Sequence, residues 1–85
     1  MNGNRYHLEY GVTAQEDLDR LPPKPRQQIL RKIARLQSGL HGDIKRLQGA
    51  DVADRLRMGD YRVLFDVEGD VIVIRRVGHR KEIYE

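Results

Sequence analysis

Asp54-Arg55-Leu56-Arg57-Met58, then Tyr61-Arg62-Val63-Leu64-Phe65-Asp66-Val67, then Val71-Ile72-Val73-Ile74-Arg75-Arg76-Val77 decide the fold. The second and third runs are rich in β-branched residues, and the first alternates charged with apolar positions. Gly59-Asp60 divides the first from the second, and Glu68-Gly69-Asp70 divides the second from the third. Both dividers have the chemistry of hairpin turns, so the three runs predict an antiparallel meander.

A two-residue loop at Gly59-Asp60 sets the first register. Met58 then opposes Tyr61, Arg57 opposes Arg62, and Arg55 opposes Leu64. Opposed residues share a face. Leu56, Met58, Tyr61, Val63, Phe65 and Val67 form the face expected to pack on helices. Arg55, Arg57 and Arg62 form the other. A two-residue second turn, in either register, adds Val71, Val73, Arg75 and Val77 to the Arg face. A three-residue turn adds Ile72, Ile74 and Arg76 instead.

Upstream, Arg5-Tyr6-His7-Leu8-Glu9-Tyr10 alternates weakly and predicts a first strand. Thr13-Ala14-Gln15-Glu16 has the form of a capping box. Ala14, Leu18 and Leu21 then share one face of a short helix that ends at Pro22-Pro23. Pro25 suits the first turn of a second helix, where a missing N–H costs nothing. Its apolar face is Ile29, Leu30, Ile33, Ala34 and Leu36, and Gly39 caps its end. The expected fold is α+β. An N-terminal strand and a helical hairpin precede the meander, giving one four-stranded sheet with helices on one face.

The whole chain, 1–85, forms one domain, since 85 residues suffice for one and not for two. Cys 0 removes disulfide and thiolate chemistry, and a cysteine zinc site with them. Mean hydropathy is −0.70, and no apolar run of about 18 residues exists to span a membrane. Met1 to Tyr10 is polar and lacks a secretory pattern, so the expected location is the cytoplasm. The formal charge of +3 is only mildly basic and does not by itself identify a nucleic-acid partner. Placement of the arginines says more.

Arg57 across from Arg62 puts like charges directly opposite, which costs some tenths of a kcal/mol and invites an anion. The plain alternative is a solvated face neutralised by Asp54, Asp60 and Asp66. Leu64, Val71 and Val73 on the same face favour a surface built to be covered. The tail, Val77-Gly78-His79-Arg80-Lys81-Glu82-Ile83-Tyr84-Glu85, adds an imidazole, a guanidinium and a phenol within six positions. These groups can move protons and stabilise developing negative charge without a metal.

Three segments together carry a resemblance. They are Lys45-Arg46-Leu47-Gln48-Gly49, Arg55-Leu56-Arg57-Met58-Gly59-Asp60-Tyr61-Arg62-Val63-Leu64-Phe65 and Val77-Gly78-His79-Arg80-Lys81-Glu82-Ile83-Tyr84. The chain resembles the RelE/ParE superfamily of bacterial and archaeal toxins over nearly its whole length, and its tail resembles the RelE branch. The resemblance implies a type II toxin that enters the ribosomal A site and cuts mRNA. The 2′-hydroxyl attacks the adjacent phosphate, with no metal or other cofactor. It implies a cognate RelB-like antitoxin, contact with the ribosome and A-site mRNA, operator DNA reached only through the antitoxin complex, and no membrane partner.

Site residues follow by motif. Arg62 is expected to hold the phosphate region and Arg80 to stabilise transition-state charge. Tyr84 is expected to stack on or orient the base, Arg55 to serve as base or clamp, and His79 as acid or base. Arg57, Lys45, Arg46, Arg75 and Lys81 are the expected RNA contacts, although Lys45-Arg46 reads first as solvated loop charge. Asp54 is expected to set a carboxylate near this cluster, where relatives of this kind carry a cation or an aromatic. The second reading is a ParE-like, non-enzymatic inhibitor of DNA gyrase on the same fold.

Overall fold

A computed structural model describes residues 4–49 and 51–83. The elements are β1 (His7–Tyr10), α1 (Val12–Arg20), α2 (Pro23–Arg35), a 3-10 turn (Leu36–Ser38), β2 (Asp43–Arg46), β3 (Asp54–Met58), β4 (Tyr61–Glu68) and β5 (Val71–His79). One sheet runs β1-β5-β4-β3-β2. β1 lies parallel to β5, and every other neighbour is antiparallel. The chain is α+β, as expected.

The sheet has five strands rather than four. The added strand is β2, which carries Lys45 and Arg46. Its own sequence, Asp-Ile-Lys-Arg, has almost no apolar alternation. It is a strand because β3 offers it an edge, and its charges suit a strand that must refuse further partners.

Gly59 and Gly69, at φ +56° and +62°, each open a two-residue turn, the backbone that a type II′ loop asks of a glycine. The β3–β4 register is the expected one: Arg57 opposes Arg62, Arg55 opposes Leu64, and Met58 opposes Tyr61. The second turn is Gly69-Asp70, with Glu68 opposite Val71.

A bulge then shifts the β4–β5 ladder. Phe65 opposes Ile74, but Leu64 opposes Arg76, so Arg75 is the extra residue. Beyond it every side chain changes face. Val77 opposes Val63 and is buried in the core, not on the Arg face where uninterrupted alternation puts it.

The core lies between the helices and one face of the sheet. Ala14, Leu18, Ile29, Ile33 and Leu36 meet Leu56, Val63, Phe65, Ile72, Ile74 and Val77. The apolar stripe of α2 is narrower than expected: Ala34 is exposed, and Leu30 is 38% exposed. The capping box does not form. α1 begins at Val12 with Gly11 as its N-cap and no side-chain cap. The Gly11 amide is tied to the Ile74 carbonyl at 2.9 Å, which fixes the helix start before Thr13 can cap it.

Beyond Tyr10 and Ile74, β5 loses β1 as a neighbour. Buried Asp17 of α1 takes over that edge. Its Oδ2 accepts the Val77 amide at 2.9 Å and the Arg76 Nε at 2.8 Å. One carboxylate therefore joins the helical hairpin to the strand that leads into the tail. Among the described residues, no helix is long and apolar enough to cross a membrane.

Candidate anion site at the Gly59-Asp60 turn

The site is assembled around the β3–β4 turn. Arg62 stands two residues beyond it and folds back, its Nη1 donating to the Gly59 carbonyl at 2.7 Å and the Tyr61 carbonyl at 3.0 Å. The guanidinium is thereby held although Arg62 is only 8% exposed. Arg80 arrives from the tail. Its backbone amide donates to the Asp60 carbonyl at 2.7 Å, and its Nε stands 3.5 Å from Asp60 Oδ1. Its side chain remains more than half exposed. Two arginines distant in sequence thus meet at one two-residue turn. Arg57 completes the group from across the ladder; it is exposed and meets no carboxylate at bridging distance among the described residues.

Arg55 lies further along the same face, with its side chain 11% exposed and its Nη2 3.9 Å from Asp43 Oδ1. Lys45 opposes Arg55 and shares its face. Leu64, expected as an apolar surface awaiting a cover, is only 6% exposed. The chain already shields it, and the open part of this face mixes Lys45 and Arg57 with the carboxylates of Asp43 and Glu68.

Four expected placements change. Asp54 opposes Phe65 and Arg46, so its side chain leaves the Arg face with the core-facing set and does not stand in the cluster. Arg46 leaves the face with it. Arg75 is held by Asp66 at 3.0 Å and Glu68 at 3.6 Å, towards the other end of β5 from the Gly59-Asp60 turn. His79 opposes Tyr61, whereas Arg62 opposes Gly78, so the pleat sends the imidazole away from Arg62. His79 faces a cleft of about 430 Å³, lined also by Asp17, Arg20, Tyr61, Arg76 and Glu82. Lys81 is exposed in the tail turn. Tyr84 lies outside the described residues.

Sequence reasoning missed Asp17, Asp60 and Ile83 as supports. Asp60 was legible as a turn residue and as a neutraliser of the arginine face, but not as the group that binds Arg80 through both backbone and side chain. Ile83 is buried and closes over Gly78, where an added Cβ would sit 2.9 Å from Ile83 Cγ1. The glycine before His79 and Arg80 leaves the space that lets the tail fold back.

Comparison with known proteins follows the same lines. The family model described as ParE toxin of type II toxin–antitoxin system, parDE, matches residues 8–84. The chain is 37% identical over 81 residues to toxin RelE3 of Methanocaldococcus jannaschii, covering 89% of this chain and 92% of that protein. Among solved structures, the RelB–RelE antitoxin–toxin complex from Methanococcus jannaschii aligns with TM-score 0.73 and 37% identity, over 88% of this chain and 93% of that one. The RelBE2 toxin–antitoxin complex from Mycobacterium tuberculosis aligns with TM-score 0.76 and 28% identity, over 89% and 99%.

Proposed function

The chain belongs to the RelE/ParE family of type II toxins and is RelE-like, and from that premise we propose that it is a ribosome-dependent endoribonuclease that cuts mRNA in the A site. One observation carries the reading. Arg62 and Arg80 converge on the Gly59-Asp60 turn beside exposed Arg57, placing a cationic cluster at one end of the sheet.

The chemistry asks little else of the protein. The 2′-hydroxyl oxygen attacks the adjacent phosphorus and gives up its proton. The bond from phosphorus to the 5′ oxygen breaks, and that oxygen takes up a proton. The products are a 2′,3′-cyclic phosphate and a 5′-hydroxyl. Negative charge grows on the non-bridging oxygens at the transition state. Guanidinium groups fixed in advance stabilise it without reorganising. Arg62 is the most firmly fixed and orients the phosphate. Arg80, tethered by its backbone and set beside Asp60 through its Nε, stabilises the developing charge. Arg57 and Arg55 hold the flanking backbone, and Tyr84 orients the base. Lys45 and Lys81 extend the RNA contact.

A RelB-like antitoxin is the proposed partner, in keeping with the RelB–RelE and RelBE2 complexes of its relatives. Operator DNA is reached through that complex, and the toxin acts where ribosomes are, in the cytoplasm. The second reading, a gyrase inhibitor, draws support from the ParE description of the matching family model.

Primer extension on mRNA programmed into ribosomes separates the two. Cuts within A-site codons that vanish in a folded Arg80→Ala variant support the ribonuclease. Intact mRNA, with DNA supercoiling inhibited instead, would transfer the function to gyrase.

A further inference from the structure

We propose that His79 is a positioning residue that fixes Arg80 by capping the tail turn, and that it carries no proton in the reaction. The claim deepens the ribonuclease reading and rests on it for its activity arm. It starts from one contact: the Lys81 amide donates to His79 Nδ1 at 3.2 Å. A side-chain acceptor taking the amide two residues on is the geometry of an Asx turn, here made by an imidazole.

The rest of the tail is arranged around the same residue. The His79 carbonyl accepts the Glu82 amide at 2.8 Å and the Ile83 amide at 3.1 Å. The Arg80 amide, next after His79, is taken by the Asp60 carbonyl at 2.7 Å. Four successive backbone amides, from Arg80 to Ile83, are thus bound, and three of them end on His79. The Tyr61 ring meets the imidazole edge-on, with centroids 5.7 Å apart and planes at 78°. That contact holds the ring in the rotamer that brings Nδ1 to the Lys81 amide.

Two consequences exclude proton transfer. An imidazole that accepts at Nδ1 carries its proton on Nε2, so the nitrogen left over is a donor and not a base. The ring also leaves the sheet on the side opposite Arg62, towards the cleft shared with Asp17 and Arg20. Arg80 is the residue that the turn delivers. Its guanidinium is half exposed and lightly held by Asp60, so its position depends on its backbone.

Asparagine separates the two roles. Its side-chain oxygen can take the place of Nδ1 and accept the Lys81 amide, but it cannot transfer a proton near neutral pH. Alanine and glutamine supply neither the acceptor at that position nor the ring. Single-turnover cleavage on programmed ribosomes is to be measured for the wild type and for His79→Asn, His79→Gln and His79→Ala across pH 5.5–8.5. Amide hydrogen exchange at Lys81 is followed in the same four proteins.

His79→Asn is expected to cleave within about threefold of wild type with an unchanged pH profile. His79→Gln and His79→Ala are expected to fall by roughly 10- to 100-fold, the scale of a misplaced catalytic group. Lys81 exchange is expected to quicken about fivefold or more in those two alone, as befits a lost hydrogen bond. Loss in His79→Asn equal to that in His79→Ala, with the acid limb of the profile gone, would overturn the proposal and make His79 a proton carrier. Equal exchange at Lys81 in all four proteins would overturn the turn itself. If the wild type does not cleave, the ribonuclease reading fails, and the exchange data still decide whether His79 caps the turn.

Discussion

Asp17 offers the sharpest test of how the fold holds the site. Asp17→Ala deletes one oxygen that serves two donors, the Val77 amide at 2.9 Å and Arg76 Nε at 2.8 Å. The two losses are unequal. Val77 is buried, and β1 no longer flanks β5 at that point, so its amide has no other strand to bond. Leaving it unsatisfied costs about 1–3 kcal/mol. The Arg76 side chain is 42% exposed, so water replaces much of what it loses. That discount holds the ion pair to about 1 kcal/mol or less. The expected total is about 2–4 kcal/mol, a large share of the stability of so small a domain. At about 4–8 °C per kcal/mol for this size, the melting temperature falls by roughly 8–30 °C. Asp17→Asn keeps an oxygen for the Val77 amide and should cost only about 1 kcal/mol, as should Arg76→Ala. Urea unfolding of the free chain, followed by circular dichroism, measures all three. An Asp17→Ala cost equal to that of Arg76→Ala would show that the edge amide does not need its acceptor. An Asp17→Asn cost equal to that of Asp17→Ala would place the whole effect in charge. Either result refutes the division made here.

Gly78→Ala puts a methyl 2.9 Å from Ile83 Cγ1 and 3.0 Å from its Cδ1. The far end of a flexible side chain gives way, so the tail should lift while the core holds. Global stability should fall by about 1–3 kcal/mol at most, and limited proteolysis should reach the tail before the sheet; equal protection of both would contradict this. Burial raises the Tyr10 pKa above the ordinary tyrosine value. The folded chain therefore keeps that proton when the unfolded chain releases it, and stability falls as pH rises beyond about 10. Tyr10→Phe should lessen the drop in urea midpoint between pH 9 and 11.5, and an identical drop would assign it to other groups. Helix α2 holds Lys24, Arg26, Arg31, Lys32 and Arg35 with no acidic residue, and none of them meets a carboxylate at bridging distance among the described residues. If this helix rests on ribosomal RNA backbone, Lys32→Gln with Arg35→Gln should reduce the slope of log affinity against log salt by about 1.5. An unchanged slope would place α2 away from RNA.

The parts of the fold legible in the sequence are those set by local chemistry. Gly59-Asp60 fixes its own loop length, and loop length fixes register, so Arg57 opposite Arg62 followed from two turn residues. The buried residues of the helical hairpin followed from its period, and Leu30 and Ala34 failed only because the sheet beneath covers a narrower stripe than the helix offers. What was not legible is what one element lends another. β2 is a strand by virtue of the β3 edge. Gly11 starts α1 because Ile74 holds its amide, and that contact overrides the capping chemistry of Thr13 and Glu16. The cationic cluster was legible as a set of arginines. Asp60 and Asp66 were legible as counter-charges, but which arginine each takes was not, because Asp60 with Arg80 and Asp66 with Arg75 are pairs that only the folded chain brings together.

The bulge at Arg75 shows how one such misreading bears on mechanism. A period-two pattern carries no mark of an inserted residue, so alternation from Val71 sends Arg75, Val77 and then His79 to the face of Arg62. One extra residue reverses the end of that series. Val77 turns into the core, where it is wanted for packing, and Gly78 comes to stand opposite Arg62. Arg80 follows just beyond the end of the strand, where its amide finds the Asp60 carbonyl and its Nε the Asp60 carboxylate at the turn that Arg62 also contacts. His79 is sent to Tyr61, where its ring can only support the turn. The insertion therefore selects which of two neighbouring residues, an imidazole or a guanidinium, is presented with Arg62. A guanidinium there suits the proposed RNA cleavage, in which the nucleophile belongs to the substrate and the protein's larger task is to stabilise charge on phosphorus.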